Sequence, residues 1–444
     1  MGQLRKDSFH LVNLGCAKNL VEGEHLAGLM LEHGWSPELD PQAARVLVVN
    51  TCGFIQPAVE EALETILELA QDKRPGQVLA VVGCLVGRYG KKLARSLPEA
   101  DLLLSPGAVA RLPHYLEQPP ADRLVMAPPR EVFTGRQPRA LSTGPGWAYL
   151  RLADGCNHRC AYCTIPAIRG RLRSRAPEDL LDEARRLAQA GIRELNLVAQ
   201  DLTAYGSDLG LEHGLVRLLE QLAAIDELQW IRLLYLHPET LEKTLLELMA
   251  KNKKILPYLD LPIQHVSDRV VRLMGRGLAG PELERLIEQI RALVPGVVLR
   301  ATVMVGHPGE DQAAFDELYD FIARIRFQHL GCFAFQPEPG TRSARLPAPP
   351  AELAQERRDA VMSLQQQISR QHLATKVGRV EPLLVLGPHP ESDLLWHGRL
   401  PSQAPEVDGL TIITSGNPAP GSIVPCRITR AHHYDLEGTL GVQQ

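Results

Sequence analysis

Along the first hundred residues the pattern of apolar and polar positions repeats three times. An apolar, β-branched run ends in a Gly- or Asn-containing turn that carries a cysteine, and a helical stretch follows. The three instances are FHLVNLGCAKN, RVLVVNTCGF and VLAVVGCLVG, with cysteines at Cys16, Cys52 and Cys84. The intervals of 36 and 32 residues match about one strand–helix–strand unit each. Continuous apolar strands alternating with helices predict a parallel sheet covered on both faces. In such a sheet ligands gather beyond the carboxyl ends of the strands. All three cysteines fall at that end, so the predicted topology brings them together.

Residues 114–146 are rich in proline and lack periodicity, which predicts a linker or loosely structured boundary. A second α/β region begins at WAYLRLADG, with strand-like runs at ELNLVAQ, WIRLLYL, LDLPIQ, VLRATVMVG and LGCFAF separated by helical patterns. This alternation predicts a full or partial β/α barrel of the TIM type, with an open sheet as the alternative and function at the C-terminal strand ends. From about residue 373, short runs such as RVEPLLVLG, LLWHGRL, LTIITSG and SIVPCRITRA alternate with turn residues, predicting a small β-barrel or sandwich. The expected organisation is thus α/β and multidomain, in three parts: 1–140, 141–372 and 373–444.

Composition narrows the class. The chain is 45% hydrophobic and 23% charged, with a formal net charge of -4, so the whole molecule is not an electrostatic magnet for nucleic acid. It contains no apolar run of about 18 residues, and MGQLRKDSFH is polar where a signal peptide needs an apolar stretch. These features predict a cytoplasmic protein with no membrane partner. In a reducing compartment, cysteines grouped in motifs are metal ligands or catalysts more often than disulfides. Six of the eight cysteines are grouped; Cys332 and Cys426 sit in apolar or β patterns and read as core residues.

The second group lies in ADGCNHRCAYCTIP, where Cys156, Cys160 and Cys163 follow the strand WAYLRLA at C-x3-C-x2-C spacing. Thiolates are soft ligands suited to iron–sulfur clusters, zinc and Cu(I). Three on one tight loop can hold three corners of a cubane and leave the fourth iron open to a substrate or cofactor. Zinc with His158 as a fourth ligand, or a merely structural loop, are the other readings. Zinc sites, however, usually show paired arms a dozen or more residues apart.

This loop resembles the cluster motif of the radical S-adenosylmethionine superfamily. NLGCAKN, NTCGF, GCNHRCAYC, LPIQHVSDRVVRLMGRG, GHPGE and QAPEVDG together resemble its methylthiotransferases, over nearly the whole chain. Within them they are similar to the RimO-type branch, which acts on ribosomal protein uS12. The resemblance implies a cysteine-bearing N-terminal domain, a radical barrel and a C-terminal TRAM domain. It implies two [4Fe–4S] clusters, one on Cys156, Cys160 and Cys163 and an auxiliary one on Cys16, Cys52 and Cys84. It further implies reductive cleavage of S-adenosylmethionine to a 5′-deoxyadenosyl radical, hydrogen abstraction at the β-carbon of a uS12 aspartate, and methylthio insertion with sulfur presented at the auxiliary cluster. An electron donor such as flavodoxin or ferredoxin belongs to the same picture, and DNA does not. By position, Tyr162, Gln200, Asp201, Gln264 and Gly306 are candidate S-adenosylmethionine contacts, although each also reads as an ordinary strand-end or turn residue. His237 and His265 read as structural. One departure stands out: the family commonly has Asp-Ser-Glu where this chain has Glu22-Gly23-Glu24.

A sister branch modifies adenosine in transfer RNA, and the cysteines do not separate the two. From residue 373 onward five Lys and Arg face seven Asp and Glu, a net charge of -2. Phosphate neutralisation supplies much of RNA affinity, so this module suits a basic protein partner better. LPIQH in place of the sister branch's Gln-Ser-Gly-Ser points the same way by resemblance. A zinc-stabilised, non-catalytic binding protein is the reading from another class.

Overall fold

In the computed structural model, the structure describes residues 7–128 and 133–441. The polar N-terminal residues 1–6, on which the signal-peptide argument partly rests, lie outside them. The described chain falls into two compact units. One runs to Ser142 and includes Arg151–Arg159 and Cys163–Asp182; the other holds Thr143–Leu150, Cys160–Tyr162 and everything from Glu183 onward.

The first unit is built on a six-stranded sheet in the order β2-β1-β3-β4-β5-β6. Its strands are β1 (Ser8–Asn13), β2 (Ser36–Pro37), β3 (Val46–Thr51), β4 (Val78–Gly83), β5 (Leu102–Leu104) and β6 (Leu124–Val125), all paired in parallel. Every residue of β3 is buried, as a strand covered on both faces requires. Alternate residues feed two cores: Val46 and Val48 join Met30 and Leu104, while Leu47 and Val49 join Ile66 and Leu103. Helices α1 (Ala17–Glu32), α2 (Gln56–Gln71) and α3 (Cys84–Ser96) follow β1, β3 and β4 as the repeating pattern predicts. The stretch expected to be a loose boundary departs from that expectation at its start. There α4 (Leu112–Glu117) and β6 extend the unit, with Leu103 paired to Leu124. Further on, Arg139 is tied to the buried Glu24 by a 2.6 Å ion pair.

The first unit also holds a two-stranded antiparallel ribbon of β8 (Ala153–Asp154) and β9 (Arg173–Ser174), which closes the base of the loop containing α5 (Ile165–Arg169). The turn into this loop needs glycine. Gly155 has φ +76°, and a Cβ there would lie 2.1 Å from the Arg171 carbonyl oxygen.

The second unit carries a six-stranded sheet in the order β14-β13-β12-β11-β10-β7. Its strands are β7 (Trp147–Arg151), β10 (Glu194–Val198), β11 (Trp230–Leu233), β12 (Ile255–Gln264), β13 (Val298–Val305) and β14 (His329–Ala334). Strands β10 to β14 pair in parallel and in chain order, so the sheet is the open, partial form of the expected barrel. The helices between them are α6 (Pro177–Gln189), α7 (Gly214–Ala223), α8 (Lys243–Lys251), α9 (Asp268–Met274), α10 (Gly280–Leu293) and α11 (Gln312–Ile325), and α12 (Ala351–Ala374) leads to the C-terminal strands. There β15 (Val380–His389), β16 (Ser392–Arg399), β17 (Thr411–Ser415), β18 (Ile423–Ala431) and β19 (Leu436–Thr439) close a barrel in the order β15-β16-β17-β19-β18. Its core packs Leu383, Leu400, Ile413, Cys426 and Leu436. Among the described residues, no helix is long and apolar enough to cross a membrane.

Within the second unit the C-terminal barrel is fastened to the parallel sheet by buried charge. Glu194 accepts from Arg399 at 2.5 Å and from Arg232 at 2.9 Å, and all three side chains are almost wholly buried. Burial pushes the Glu194 carboxyl up, but Arg399 and then Arg232 outweigh it and hold it below the usual range. Its stabilisation is therefore complete above the ordinary carboxylate pKa and is lost as pH falls through the lowered value. Asp408 adds a second fastening, accepting from the Tyr258 hydroxyl at 2.6 Å and the Ala404 N–H at 2.8 Å. Glu194→Gln, which leaves two guanidiniums underpaired, is expected to destabilise this unit by about 3–5 kcal/mol. Urea unfolding followed by tryptophan fluorescence checks this against Glu284→Gln, whose partner Arg324 is exposed and whose loss should change little. Equal midpoints for the two variants would refute the buried-charge account.

Candidate metal centre

The three N-terminal cysteines stand beyond the carboxyl ends of neighbouring strands. Cys16 follows β1 and caps α1, Cys52 follows β3 directly, and Cys84 opens α3 directly after β4. Strand order places β1, β3 and β4 side by side. All three thiols are free, Cys52 and Cys84 buried and Cys16 half-buried. Two glycines make the approach feasible: a Cβ on Gly15 (φ +93°) would sit 2.5 Å from the Cys52 Cβ, and one on Gly53 would sit 2.9 Å from the Leu85 backbone.

The polar surroundings are ordered. Asn19 Nδ2 donates to the Thr51 carbonyl at 2.9 Å, and Asn50 Nδ2 donates to the Asn19 carbonyl at 2.8 Å. The Thr51 hydroxyl donates to the Val82 carbonyl at 2.6 Å. Burial pushes the Cys84 thiol up to about 12 against the pull of Arg169. Cys52 is likewise raised by burial and by the neighbouring Cys16. Cys16 lies below its ordinary value, because Lys18, the Asn19 N–H and Arg169 outweigh its burial. Arg169 pulls on all three thiols.

The residues of the family departure are accounted for here. Glu22 forms a buried 2.7 Å pair with Arg169, and Glu24 accepts from Arg139 at 2.6 Å and the Ser142 N–H at 2.7 Å. Gly23 lies against Asn13, whose Oδ1 would be 1.8 Å from any Cβ. A serine could not occupy position 23 with Asn13 so placed.

Of the second group, Cys156, Cys160 and Cys163 form no disulfide and are half-buried. In the first unit Cys156 N–H donates to the Gly170 carbonyl at 3.1 Å, and Cys163 Sγ accepts from the Ile165 N–H at 3.4 Å. In the second unit Ala161, the residue after Cys160, is held from both sides: its N–H donates to the Met274 carbonyl and its carbonyl accepts from the Ser343 N–H. Among the described residues, no three His, Cys, Asp or Glu side chains close around a single ion. A cubane asks for a wider spacing, because iron atoms at its corners separate the thiolates. Both sets supply three thiols, the soft donors that iron–sulfur clusters take.

The remaining candidates cluster at the carboxyl ends of the second unit's strands. Gln200 and Asp201 lie just past β10, Gln264 ends β12, and Gly306 follows β13. The Asp201 carboxylate accepts from the Thr203 N–H at 3.0 Å. Gln264 is buried with φ +69°, at a register shift between β12 and β13. Gly306 has a packing reason of its own, since a Cβ there would meet Ala354 at 2.3 Å. Tyr162 accepts from Arg276 at 3.3 Å and meets His307 edge-on at 6.3 Å. His237 bonds Arg276, and His265 is 3.2 Å from Glu310. Cys332 and Cys426 are buried, the latter in the C-terminal barrel core. Arg169 and Arg276, which the spacing of motifs did not single out, are the functional candidates that the structure adds.

Three family models match the chain: an uncharacterized protein family, UPF0004, over residues 8–105; the radical SAM superfamily over 150–322; and the TRAM domain over 377–440. A "Ribosomal protein uS12 methylthiotransferase RimO" of Syntrophobacter fumaroxidans is 48% identical, covering 97% of this chain and 98% of the relative. One of the same description from Anaeromyxobacter sp. (strain K) is 44% identical over 97% and 92%. The chain belongs to the uS12 methylthiotransferase family. Among solved structures, the radical S-adenosylmethionine methyltransferase TsrM of Kitasatospora setae aligns with a TM-score of 0.55 at 15% identity, covering 76% of this chain and 74% of that one, a likeness of fold. A methylthiotransferase of this family is a radical S-adenosylmethionine enzyme and uses a [4Fe–4S] cluster with that cofactor.

Gly15 and Gly34 offer a test of the cysteine packing. Both have positive φ, but a Cβ on Gly34 meets nothing within 4 Å. Gly34→Ala is expected to cost about 1–2 kcal/mol from backbone strain alone. Gly15→Ala adds a clash with Cys52 worth about 1–3 kcal/mol more. Unfolding of the first unit, followed through Trp35, measures both, and equal losses would show that Gly15 is not packed on Cys52.

Proposed function

We propose that the chain inserts a methylthio group at the β-carbon of an aspartate of ribosomal protein uS12, using two [4Fe–4S] clusters. One is held by Cys156, Cys160 and Cys163, the other by Cys16, Cys52 and Cys84. The observation that carries the reading is near-full-length similarity to relatives named for this activity, joined to three free thiols on adjacent strand ends. The three parts 1–140, 141–372 and 373–444 would then be the auxiliary-cluster, radical and TRAM domains of a cytoplasmic enzyme reduced by a flavodoxin or ferredoxin.

The division of labour follows from the residues. Low-potential clusters with S-adenosylmethionine supply radical chemistry able to break an unactivated C–H bond. The chain supplies binding, orientation and exclusion of water. On the 156–163 loop Cys156, Cys160 and Cys163 would hold the cluster, and with only three thiolates the site would leave room for the amino acid end of S-adenosylmethionine. Tyr162 would lie beside the adenine, Gln200 and Asp201 would serve the amino group of the cofactor's amino acid end, and Gln264 and Gly306 would shape the strand-end floor.

The choice of a protein substrate over transfer RNA rests on the C-terminal barrel. Of its five cationic side chains, Arg399 is buried on Glu194, Lys376 pairs with Glu381 at 3.0 Å, and Arg430 stands 3.8 Å from Glu437. That leaves little positive surface for phosphate and suits a basic ribosomal protein.

Anaerobically purified protein is expected to be brown, with about eight irons per chain, and about four after either cysteine trio is changed to alanine. With dithionite and S-adenosylmethionine it should release 5′-deoxyadenosine. A colourless zinc protein would refute the cluster reading. Mass spectrometry of a deletion strain should show uS12 lacking its methylthio group. Normal uS12 beside unmodified transfer RNA would overturn the substrate.

A further inference from the structure

Arg169 is the last residue of α5, six positions past Cys163, and its side chain is 2% exposed. Its guanidinium makes a three-way contact inside the first unit. Nε donates to Cys84 Sγ at 3.1 Å, and Nη2 donates to Asn19 Oδ1 at 2.8 Å and to Glu22 Oε2 at 2.7 Å. Nη1 stands 3.5 Å from Asp154 Oδ2. Asn19 is itself anchored to Thr51, the residue before Cys52, so the contact ties two of the three cysteine-bearing strand ends to α5.

A buried Arg–Glu pair adds little to stability compared with apolar packing of the same volume. Its retention here has another use, because the guanidinium is aimed at a sulfur. Hydrogen bonds to the sulfurs of an iron–sulfur cluster and nearby positive charge stabilise the reduced, more negative form and raise its potential. We propose that Arg169 is a positioning residue of the auxiliary cluster, fixing the Cys84 sulfur by its Nε–H and raising the cluster's reduction potential, with Glu22 and Asn19 locking the guanidinium in place. The inference rests on the auxiliary-cluster reading above.

The test uses the full chain with Cys156, Cys160 and Cys163 changed to alanine, so that only the auxiliary cluster remains. If this parent holds no iron, the auxiliary-cluster reading itself fails, independently of Arg169. If it holds about four irons, EPR-monitored redox titration gives the potential. Arg169→Gln combined with Glu22→Gln keeps the buried site neutral while removing the charge and the fork of donors. Its reduction is expected to be at least about tenfold less favourable, a fall of about 59 mV for one electron. A potential within about twofold of the parent's equilibrium, with iron retained, overturns the proposal. Should the neutral pair fail to hold iron, Arg169→Lys decides. Its single ammonium cannot serve Cys84, Asn19 and Glu22 together, so a lowered potential is expected, and the parent's potential overturns the proposal. Loss of both iron and far-UV circular dichroism in all these variants also overturns it, making Arg169 a strut of the fold.

Discussion

A parallel sheet puts the carboxyl ends of all its strands on one edge, and the site in the first unit depends on this constraint. Cys16, Cys52 and Cys84 are far apart in sequence but occupy the same place in three successive units, so forming β1, β3 and β4 as neighbours is enough to gather them. Cys156, Cys160 and Cys163 differ in lying within one eight-residue stretch of the sequence. The sheet solution has an energetic consequence. At the end of β4 burial lifts Cys84 to about 12. Buried thiols of this kind become thiolates when a cationic partner or metal compensates the lost solvation.

That need for compensation runs through both units, where buried carboxylates are repeatedly matched to arginines. Glu22 faces Arg169, Glu24 faces Arg139, Glu194 faces Arg232 and Arg399, and Glu310 faces Arg357 at 2.6 Å. Each pair joins segments distant in sequence, from 38 residues for Glu194–Arg232 to 205 for Glu194–Arg399. Unpaired, any of these ions would cost several kcal/mol, so each excludes arrangements in which its partner is misplaced. The replacement of Asp-Ser-Glu by Glu22-Gly23-Glu24 belongs to this scheme. The longer carboxylate at 22 reaches Arg169, and the missing side chain at 23 makes room for Asn13.

The main strands were legible because long buried strands leave continuous apolar runs such as VLVVNT, and the six grouped cysteines were legible because their spacing is regular. What escaped was short or long-range. Strand β6 has two residues, too few for any periodicity, and it rests on pairing with β5. Strand β19 is the four residues LEGT, with a glycine that reads as turn. Whether the central strands close fully is fixed by twist and edge pairing, not by the pattern of any one strand. Arg169 was invisible for a different reason. AIRG reads as a helix end, and nothing local marks an arginine whose partners lie 85 to 150 residues earlier.

The candidate cofactor contacts of the second unit separate once packing is considered. Gly306 must be glycine because Ala354 leaves no room for a Cβ, and its N–H is taken by Glu310 at 2.9 Å. The same carboxylate holds Arg357 and lies against His265, so glycine at 306 has a packing reason of its own. Gln264 differs. A non-glycine residue at φ +69° costs free energy that regular strand geometry would avoid, and here it coincides with a register shift at the strand's carboxyl end. Bulges of this kind re-aim a side chain beside active sites. The strain is therefore an argument for Gln264 as a cofactor contact that Gly306 does not share.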